Sequence, residues 1–571
     1  MMWGCCFFEL YGFVRACFSQ LSFQHHIFVF IGAIKGDSEN PVKSRRKANS
    51  DKMSKQIFNY YRPEWTCGRY IKSLHKAIVY NLLEGMTYLF EDDSALVINS
   101  ILQCRKGNII PFNSIASELN IHQDSLSDFF EQLVNVGLLT TKILNDTEFN
   151  EIHQKIKQDR ILYIQNKTIK EQLPFEVDSV ESQFKDLLYS VNVPFSVMFE
   201  LTYNCNERCI HCFNPGASRN ELEISHRQTN ELLLSDYKRI IDELAEMGVV
   251  RITLTGGDPF VKKDIWEIIQ YIYEKDFALD IFTNGIYLYD NDNVSKLAKF
   301  YPRSVGISIY SEDRKIHDLI TRRSDSLKKS LTVIKWLTDW AIPVMIKCPI
   351  TKANVKSYYT VANLAREFGC TIQYDLSISN SVDGDFSITK NLRIDEESMQ
   401  IVMRDPHVPL YVGEEVPNFG IQHKDPSSNL CGAGMYSINI TPDGNVFPCN
   451  ALTIKLGNVN AESFTSIWYD SEELKKLRGI TLADTETCGK LPYCEYCNYC
   501  VGCSFTEYGS VLKPNTENCF VAKVRMDLAT KLQSGIDPIS ETSIEKELEK
   551  IDIDFQPFSR DMKRDYRNAK I

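Results

Sequence analysis

Residues 194 to 380 alternate between predicted strands and predicted helices six times. Repeated strand–helix units predict a parallel sheet, which is either open and doubly wound or curled into an incomplete barrel. The most regular helix has one apolar face, formed by Tyr237, Ile240, Ile241, Leu244 and Met247. The predicted strands are Phe195–Leu201, Val250–Thr255, Leu279–Thr283, Val305–Ile309, Val344–Lys347 and Ile372–Leu376.

Three cysteines with C-x3-C-x2-C spacing directly follow the first predicted strand, at Cys205, Cys209 and Cys212. Thiolates are soft ligands that favour the iron of iron–sulfur clusters. Three thiolates on a four-iron cluster leave one iron open to bind a substrate. A structural zinc ion is the alternative, but zinc takes four ligands, and His211 between Cys209 and Cys212 is badly placed as the fourth.

Glycines and polar residues end the later strands of this region. Barrel enzymes place their chemistry at the carboxyl ends of their strands, and we therefore predict a partial (β/α)6 TIM barrel. Considered one at a time, Thr283 and Ser308 would serve equally well in ordinary strand-end hydrogen bonds. The strand-end residues are Gly256, Gly257, Asp258, Pro259, Thr283, Asn284, Ser308 and Lys347.

A second group of cysteines lies near the C-terminus, where eight of the eighteen fall between residues 431 and 519. Close-set thiols in a reducing compartment indicate metal ligands, and eight would fill two four-iron clusters. Paired zinc ribbons are the alternative. The eight are Cys431, Cys449, Cys488, Cys494, Cys497, Cys500, Cys503 and Cys519.

The first cysteine motif and the strand ends together resemble the radical S-adenosylmethionine (SAM) superfamily over residues 194–380. The resemblance implies that Cys205, Cys209 and Cys212 hold a four-iron, four-sulfur (4Fe-4S) cluster with an open iron that binds SAM. It also implies that the Gly256–Pro259 turn binds the amino group of SAM. Asp258 stands where the family has glutamate, and a shorter carboxylate still accepts hydrogen bonds from an ammonium group.

The same resemblance implies further SAM contacts. Ser308 would contact the ribose or the carboxylate, and either Arg322 or Lys347 would pair with the carboxylate. His211 would pack near the adenine. Thr283 and Asn284 would complete the cofactor-binding residues.

The C-terminal cysteines resemble the SPASM domain, which holds one or two auxiliary 4Fe-4S clusters. The firmest match is Cys494-x2-Cys497. We expect one cluster on Cys494, Cys497, Cys500 and Cys519. We expect the other on Cys431, Cys449 and Cys503, with Cys488 or an open site as the fourth position.

Residues 53–190 predict a winged-helix-like unit with a hairpin around Glu84–Gly85 and helices at 95–104, 112–119 and 125–136, the last capped by Asp124. The segment Ile121–Leu139 contains acidic residues and no Lys or Arg, which disfavours DNA as its ligand. The unit resembles the peptide-recognition element of ribosomal-peptide maturases, which captures a leader peptide on a strand edge. Residues 151–185 are expected to be an irregular linker.

The remaining bounds follow from composition. Residues 1–52 predict an extension that is not native or is disordered, with Met53 as the natural first residue; a membrane-surface or targeting segment is the other interpretation. Its longest apolar run, Ile27–Ile34, is shorter than the roughly 20 residues that span a bilayer. We further expect a radical SAM core at 191–395, a SPASM domain at 396–530 and a helical tail at 531–571.

These features predict a cytoplasmic radical SAM oxidoreductase that modifies a ribosomally made precursor peptide, by a thioether or carbon–carbon cross-link. An external donor such as flavodoxin or ferredoxin would supply electrons. The net charge of −11 disfavours a nucleic-acid partner, and no membrane partner is expected. The alternatives are a sulfatase-maturating formylglycine-forming enzyme, an enzyme that converts a peptide into a quinone cofactor, and a non-catalytic iron–sulfur DNA-binding regulator.

Overall fold

The computed structural model describes residues 28–30, 59–166, 180–214, 230–382, 386–405, 425–534 and 544–556. Most of the predicted extension at 1–52 and much of the predicted tail at 531–571 therefore lie outside the described residues. The described strands form two sheets, one of four strands and one of nine.

The N-terminal sheet is an antiparallel meander of β2 (Thr66–Ile71), β3 (Lys76–Asn81) and β4 (Met86–Glu91). Gly85 turns the β3–β4 hairpin in the left-handed region, with a φ of 78°, as the predicted turn requires. The short strand β1 (Phe28–Phe30) adds to the outer edge of β4 in parallel.

Three helices cover one face of this sheet: α1 (Asp92–Gln103), α2 (Phe112–Glu118) and α3 (Gln123–Asn135). The predicted capping role of Asp124 is wrong, because α3 begins at Gln123, two residues before the predicted start, and the His122 ring accepts the hydrogen bond from the Asp124 backbone N–H. The assignment of the unit as a winged helix stays a prediction.

The predicted irregular linker at 151–185 is largely helical, in α4 (Asp146–Asn166) and α5 (Val180–Ser190). The expectation was wrong because the many charged residues of this segment alternate with apolar residues that form one face of a helix. Phe149, Ile152 and Ile156 recur at helical spacing and pack into a common hydrophobic cluster. Residues 167–179 lie outside the described part of the chain.

Six parallel strands in sequence order form the central sheet, which confirms the predicted partial barrel. Val197 and Phe199 point outward into the main core, whereas the alternating Glu200 faces the other side, as the two-residue period of a strand requires. The strands are β5 (Ser196–Glu200), β6 (Arg251–Thr255), β7 (Ala278–Thr283), β8 (Ser304–Ser308), β9 (Val344–Pro349) and β10 (Thr371–Asp375).

Amphipathic helices cover the outer face of these strands. The apolar residues of five of the helices share one core with the strands, whereas Ile316 and Ile320 of the sixth helix pack in a smaller cluster. The helices are α6 (Leu234–Met247), α7 (Ile265–Glu274), α8 (Asn291–Ala298), α9 (Arg314–Thr321), α10 (Ser326–Asp339) and α11 (Thr360–Phe368). Lys157 of α4 pairs with Asp339 of α10, which ties the N-terminal segment to this layer.

The N-terminal sheet packs against the amino ends of the barrel strands. Trp65 and Cys67 share a hydrophobic cluster with Val250, which directly precedes β6, and with Ala278, which begins β7. Arg69 donates hydrogen bonds to the carbonyls of residues 249 and 275, at 3.1 and 2.9 Å. The unit therefore lies at the end of the barrel opposite to the carboxyl ends of the strands.

The C-terminal unit continues the barrel sheet through β11 (Ser437–Ile440), which pairs in parallel with β5. Antiparallel β12 (Asn445–Phe447) and β13 (Gly457–Asn458) follow. The remaining helices are α12 (Ser387–Leu392), α13 (Glu396–Arg404), α14 (Phe464–Asp470), α15 (Glu472–Gly479), α16 (Val501–Tyr508), α17 (Thr516–Gln533) and α18 (Ile544–Glu549).

Short 3-10 turns occur at Lys72–Leu74, Pro259–Val261, Ile286–Leu288, Leu482–Asp484 and Pro492–Tyr496. Within the described ranges, none of the helices combines the length and the apolar composition needed to cross a bilayer.

Candidate cofactor site at the carboxyl end of the barrel

The three cysteines of the C-x3-C-x2-C motif lie on one loop that leaves the carboxyl end of β5. Cys209 interacts electrostatically with both Cys205 and Cys212, and Cys205 interacts with Cys212. The backbone N–H of Glu207 donates to Cys205 Sγ at 3.4 Å, and that of Cys212 donates to the Cys209 carbonyl at 3.1 Å. The structure thus groups the three thiols that the sequence singled out.

Gly256 and Gly257 bring the turn after β6 against this loop. A Cβ at Gly257 would lie 2.2 Å from the Asn204 carbonyl oxygen, and a Cβ at Gly256 would lie 2.3 Å from that of Thr202. The backbone N–H of Gly257 donates to the same Thr202 carbonyl at 2.7 Å. The glycines are therefore needed for contact between two loops of the protein, whereas the resemblance related them to contact with SAM.

Asp258 is fully buried and accepts three hydrogen bonds from the protein. Its donors are the Thr283 hydroxyl at 2.6 Å, the Asn284 backbone at 3.1 Å and the Phe260 backbone at 3.0 Å. Burial raises the pKa of Asp258 to about 6, although the three hydrogen bonds oppose this rise. The contact with the SAM amino group that the resemblance implies stays a prediction.

Thr283 and Asn284 connect Asp258 to the cysteine loop. The Thr283 hydroxyl donates to Asp258 and accepts from the Gly285 backbone N–H at 3.0 Å. The side-chain nitrogen of Asn284 lies 3.5 Å from Cys205 Sγ. The ends of β6 and β7 and the loop after β5 are thus joined by one chain of polar contacts.

Glu207 lies within the motif and was not singled out from the sequence. Its carboxylate accepts a hydrogen bond from the Ser326 hydroxyl and lies 3.6 Å from Cys209 Sγ. His317 Nε2 lies 3.1 Å from the Ser326 hydroxyl and extends this buried network. Burial raises the pKa of Glu207 to about 7, against the effect of Ser326. From the sequence, a glutamate between cysteines is expected to be a solvated loop residue. Only the fold shows that Glu207 is buried.

Lys347 lies over an aromatic ring, with Nζ 3.4 Å from the centroid of Phe282. Burial lowers the pKa of Lys347, and the nearby Asp375 and Asp280 oppose this shift. Gly306 makes room for the pair, since a Cβ there would lie 2.8 Å from the Phe282 ring. The structure therefore places Lys347 among β7, β8 and β9.

Ser308 and His211 both lie beside Tyr310. Ser308 is hydrogen bonded to the Tyr310 side chain. The His211 and Tyr310 rings meet edge to face with centroids 4.8 Å apart. The Tyr310 hydroxyl in turn lies 3.9 Å from Cys209 Sγ, so this aromatic pair borders the cysteine loop.

Arg322 ends α9 in the left-handed region, with a φ of 53°, and its side chain is exposed. The next residue, Arg323, donates from Nη1 to the Asn206 carbonyl at 2.6 Å. Arg323 therefore contacts the cysteine loop, and the pairing of Arg322 with the SAM carboxylate stays a prediction. The sequence alone does not indicate which of two adjacent arginines contacts the cysteine loop.

Four of the C-terminal cysteines line one cavity, together with Tyr493 and Tyr499. All four are electrostatically coupled through Cys488, whose pKa is raised to about 12 mainly by burial. They are Cys488, Cys494, Cys497 and Cys519.

The other four form a second group around Cys500. Cys431 and Cys449 each interact with Cys500, and Cys503 interacts with Cys449. Cys503 donates a hydrogen bond to Cys500, which lowers the pKa of Cys500 below its ordinary value.

The structure therefore groups the eight thiols differently from the expected sorting. Cys488, and not Cys500, lies with Cys494, Cys497 and Cys519. Cys500 lies with Cys431, Cys449 and Cys503. The reason is local geometry. Cys500 caps the amino end of α16, and Cys503 lies one turn into that helix, so the two side chains meet. The 3-10 turn at Pro492–Tyr496 instead places Cys494 on the wall of the first cavity.

All three cysteine groups offer sulfur ligands that suit iron–sulfur clusters. Burial raises the pKa of both Cys205 and Cys449 to about 12, so these thiols would ionise only beside a strong positive charge such as that of iron. Within the part of the chain that the structure describes, no three His, Cys, Asp or Glu side chains converge on a point that would hold a single metal ion.

Comparison with known protein families assigns two domains. The radical SAM superfamily matches residues 199–352, and the iron–sulfur cluster-binding domain called SPASM matches residues 431–501. The radical SAM domain implies a 4Fe-4S cluster and SAM as cofactors, and the SPASM domain implies auxiliary iron–sulfur clusters.

Several characterised proteins are similar to this chain. The AdoMet-dependent heme synthase of Methanosarcina barkeri is 26% identical over 57% of this chain and 95% of its own length. The subtilosin biosynthesis protein AlbA of Bacillus subtilis is 28% identical over 48% of this chain and 60% of its own. The mycofactocin maturase MftC of Mycolicibacterium smegmatis is 26% identical over 53% and 78%.

Among solved structures, SuiB of Streptococcus suis bound to S-adenosylmethionine aligns with 80% of this chain and 99% of its own, with 16% identity and a TM-score of 0.48. Native anSMEcpe with bound AdoMet aligns with 59% of this chain and 98% of its own, with 16% identity and a TM-score of 0.39.

Proposed function

We propose that this chain, which carries a radical SAM domain followed by a SPASM domain, cross-links side chains of a ribosomally made precursor peptide. When bound, the cluster and SAM would supply a 5′-deoxyadenosyl radical that removes a hydrogen atom from the substrate. The observation that carries the proposal is the grouping of Cys205, Cys209 and Cys212 at the carboxyl end of a partial barrel, the end that barrel enzymes use for chemistry.

The protein's own residues hold and orient this site. Cys205, Cys209 and Cys212 would bind three irons and leave the fourth for SAM. Asp258 and Asn284 fix the ends of β6 and β7 against the cysteine loop through buried hydrogen bonds. The His211–Tyr310 pair forms an aromatic wall against which the adenine of SAM would pack.

Lys347 is the favoured partner for the SAM carboxylate among the two candidates. Its side chain is largely buried beside β7 and β8, whereas that of Arg322 is exposed. The contact with Phe282 already orders the long Lys347 side chain, so binding SAM would cost little further side-chain entropy.

The C-terminal thiols would hold two auxiliary clusters. Cys488, Cys494, Cys497 and Cys519 would bind one, and Cys431, Cys449, Cys500 and Cys503 the other. Forming a cross-link removes two hydrogen atoms from the peptide. The radical would take one, and the other would leave as a proton, released to solvent, and an electron. The auxiliary clusters would accept the remaining electron or bind a substrate thiolate. An external flavodoxin or ferredoxin would reduce the radical SAM cluster.

A peptide substrate is favoured by the edge of β4. Strand β1 pairs with this edge in parallel, with Phe28 opposite Tyr88 and Phe30 opposite Phe90. The main-chain groups of β4 are therefore able to pair with an added strand, and a bound peptide would take the place of β1. Strand addition is a general mode of peptide capture. A heme synthase is among the similar proteins, so this similarity does not by itself favour a peptide substrate, and the strand edge is the feature that does.

The position of the N-terminal sheet constrains the substrate. This sheet packs on the amino ends of the barrel strands, and the cysteine loop lies at their carboxyl ends. Strands of five or six residues span about 17–20 Å. An extended peptide held at β4 therefore needs a spacer of at least about five residues before its first modified residue.

DNA binding is disfavoured by the surface of α3. Its exposed residues include Asp124, Asp128 and Glu131, and the helix contains no basic residue. Phosphate backbones are bound mainly by Lys and Arg, so this surface would repel them.

The proposal is tested with the anoxically reconstituted full chain, SAM, a reductant and the precursor peptide encoded beside the gene. Mass spectrometry should show the loss of two hydrogen atoms per bond formed, and Cys209→Ala should abolish this loss. A peptide that binds the protein and remains unmodified while SAM is cleaved would show that the substrate class is wrong.

A further inference from the structure

Asn284 offers a side-chain N–H group to a sulfur of the predicted radical SAM cluster. It follows β7 and is nearly fully buried. Its Nδ2 lies 3.5 Å from Cys205 Sγ and 2.6 Å from Asn206 Oδ1. Because Nδ2 carries two hydrogens, it is able to serve both acceptors at once.

The orientation of this amide is fixed by its other end. Asn284 Oδ1 accepts a hydrogen bond from the Ile286 backbone N–H at 3.0 Å. A backbone N–H only donates, so the group facing Ile286 must be the oxygen, and the group facing Cys205 must be the nitrogen.

The backbone of Asn284 is held on both sides as well. Its N–H donates to Asp258 at 3.1 Å, and its carbonyl accepts from the Ser330 hydroxyl of α10 at 2.8 Å. Asp258 is in turn held by Thr283. The buried carboxylate of Asp258 thus fixes the place of the Asn284 backbone.

Hydrogen bonds to cluster sulfurs stabilise the reduced state, which carries the extra negative charge, and so raise the reduction potential. The other N–H group at Cys205 Sγ belongs to the Glu207 backbone, which a side-chain substitution leaves in place. The amide of Asn284 is therefore the donor to Cys205 that mutation can remove.

We infer that Asn284 is a positioning residue that tunes the reduction potential of the radical SAM cluster through an N–H···S hydrogen bond from its side-chain amide to Cys205. This inference rests on the proposed function, because it requires a cluster on Cys205. It predicts an effect on the potential that is separate from cluster assembly.

The main test is Asn284→Asp in the reconstituted full chain. The carboxylate has nearly the same shape and keeps an oxygen for the Ile286 N–H, but it replaces the donor at the sulfur with an acceptor. Asn284→Leu is the uncharged partner variant. Asn293→Asp is the matched control, since Asn293 is half-buried away from the cysteine loop and its amide donates to the Tyr287 carbonyl at a solvent-exposed position.

The readout is the midpoint potential of the cluster whose electron paramagnetic resonance signal changes on addition of SAM. Both Asn284 variants should retain wild-type iron content. Their midpoints should be more negative by at least the 59 mV that corresponds to a tenfold change in a one-electron equilibrium. Asn293→Asp should leave the midpoint unchanged.

An unchanged midpoint in both Asn284 variants overturns the inference. Loss of the SAM-sensitive cluster in both variants also overturns it, because Asn284 would then be needed for assembly. Absence of any SAM-sensitive signal in the wild-type protein instead contradicts the proposed function itself.

Discussion

Glu200, the last residue of β5, accepts a hydrogen bond from Asn439 of β11 at 3.3 Å, and both side chains are buried where the C-terminal unit joins the barrel. Burial raises the pKa of Glu200 to about 7, and hydrogen bonds from Tyr203 and Asn439 only partly oppose the rise. A folded-state pKa above the ordinary value of 4.5 means that the fold favours the protonated acid.

The stabilising contribution of Glu200 is therefore fully present below about pH 4.5 and is lost as the pH rises through about 7. Glu200→Gln stays neutral, so it should melt near the wild-type temperature at pH 5 and above it at pH 8. The difference between the two pKa values corresponds to roughly 3 kcal/mol as an upper limit. Thermal denaturation of both proteins between pH 5 and 8 measures this effect.

The exposed Glu312→Gln serves as the control and should follow the wild-type pH dependence. If Glu200→Gln and the wild-type protein lose stability in parallel over this range, the pKa of Glu200 is not raised in the folded state.

Gly257→Ala should remove the radical SAM cluster and spare the auxiliary ones. The added Cβ would lie 2.2 Å from the Asn204 carbonyl oxygen, so the turn after β6 and the cysteine loop must separate. Iron analysis should then show about four fewer irons per chain than the wild-type protein. Gly479→Ala is the matched control, because a Cβ at Gly479 meets no atom within 4 Å. Full iron content in Gly257→Ala would show that the close approach is not needed.

The grouping of the C-terminal thiols predicts which substitutions act alike. Cys488→Ser should perturb the same cluster as Cys519→Ser, because the two side chains line one cavity. Cys500→Ser should perturb the same cluster as Cys449→Ser. Mössbauer and paramagnetic resonance spectra of the four variants distinguish the two clusters. Matching spectra for Cys500→Ser and Cys519→Ser would support the sorting expected from sequence instead.

Removal of residues 1–52 should increase the affinity for the leader of the precursor peptide. Strand β1 pairs with β4, and an added leader strand would need the same edge. Removal of residues 1–26 leaves Phe28–Phe30 in place and should bind the leader like the full chain. Fluorescence anisotropy with a labelled leader peptide measures all three proteins. Equal affinities for all three would show that the leader binds elsewhere.

The six strands could be predicted because each is a short apolar run with a sharp end, and the structure shifts their bounds by only one or two residues. The grouping of Cys205, Cys209 and Cys212 could be predicted because all three lie on a single loop. Local spacing alone is sufficient for features of this kind.

Contacts between distant segments could not be predicted. Asp258 accepts a hydrogen bond from Thr283, 25 residues away. The hydrogen bond from Arg323 to the cysteine loop likewise depends on how α9 ends beside that loop. The sorting of Cys488 and Cys500 likewise depends on where α16 begins. These outcomes follow from packing, which spacing in the sequence does not encode.

The most direct test of the account is anoxic incubation of the reconstituted protein with SAM and dithionite. We predict that the wild-type protein forms 5′-deoxyadenosine and methionine, and that Cys209→Ala forms neither. Freshly purified anoxic protein that contains zinc, shows no iron–sulfur absorption and leaves SAM intact would contradict the central claim.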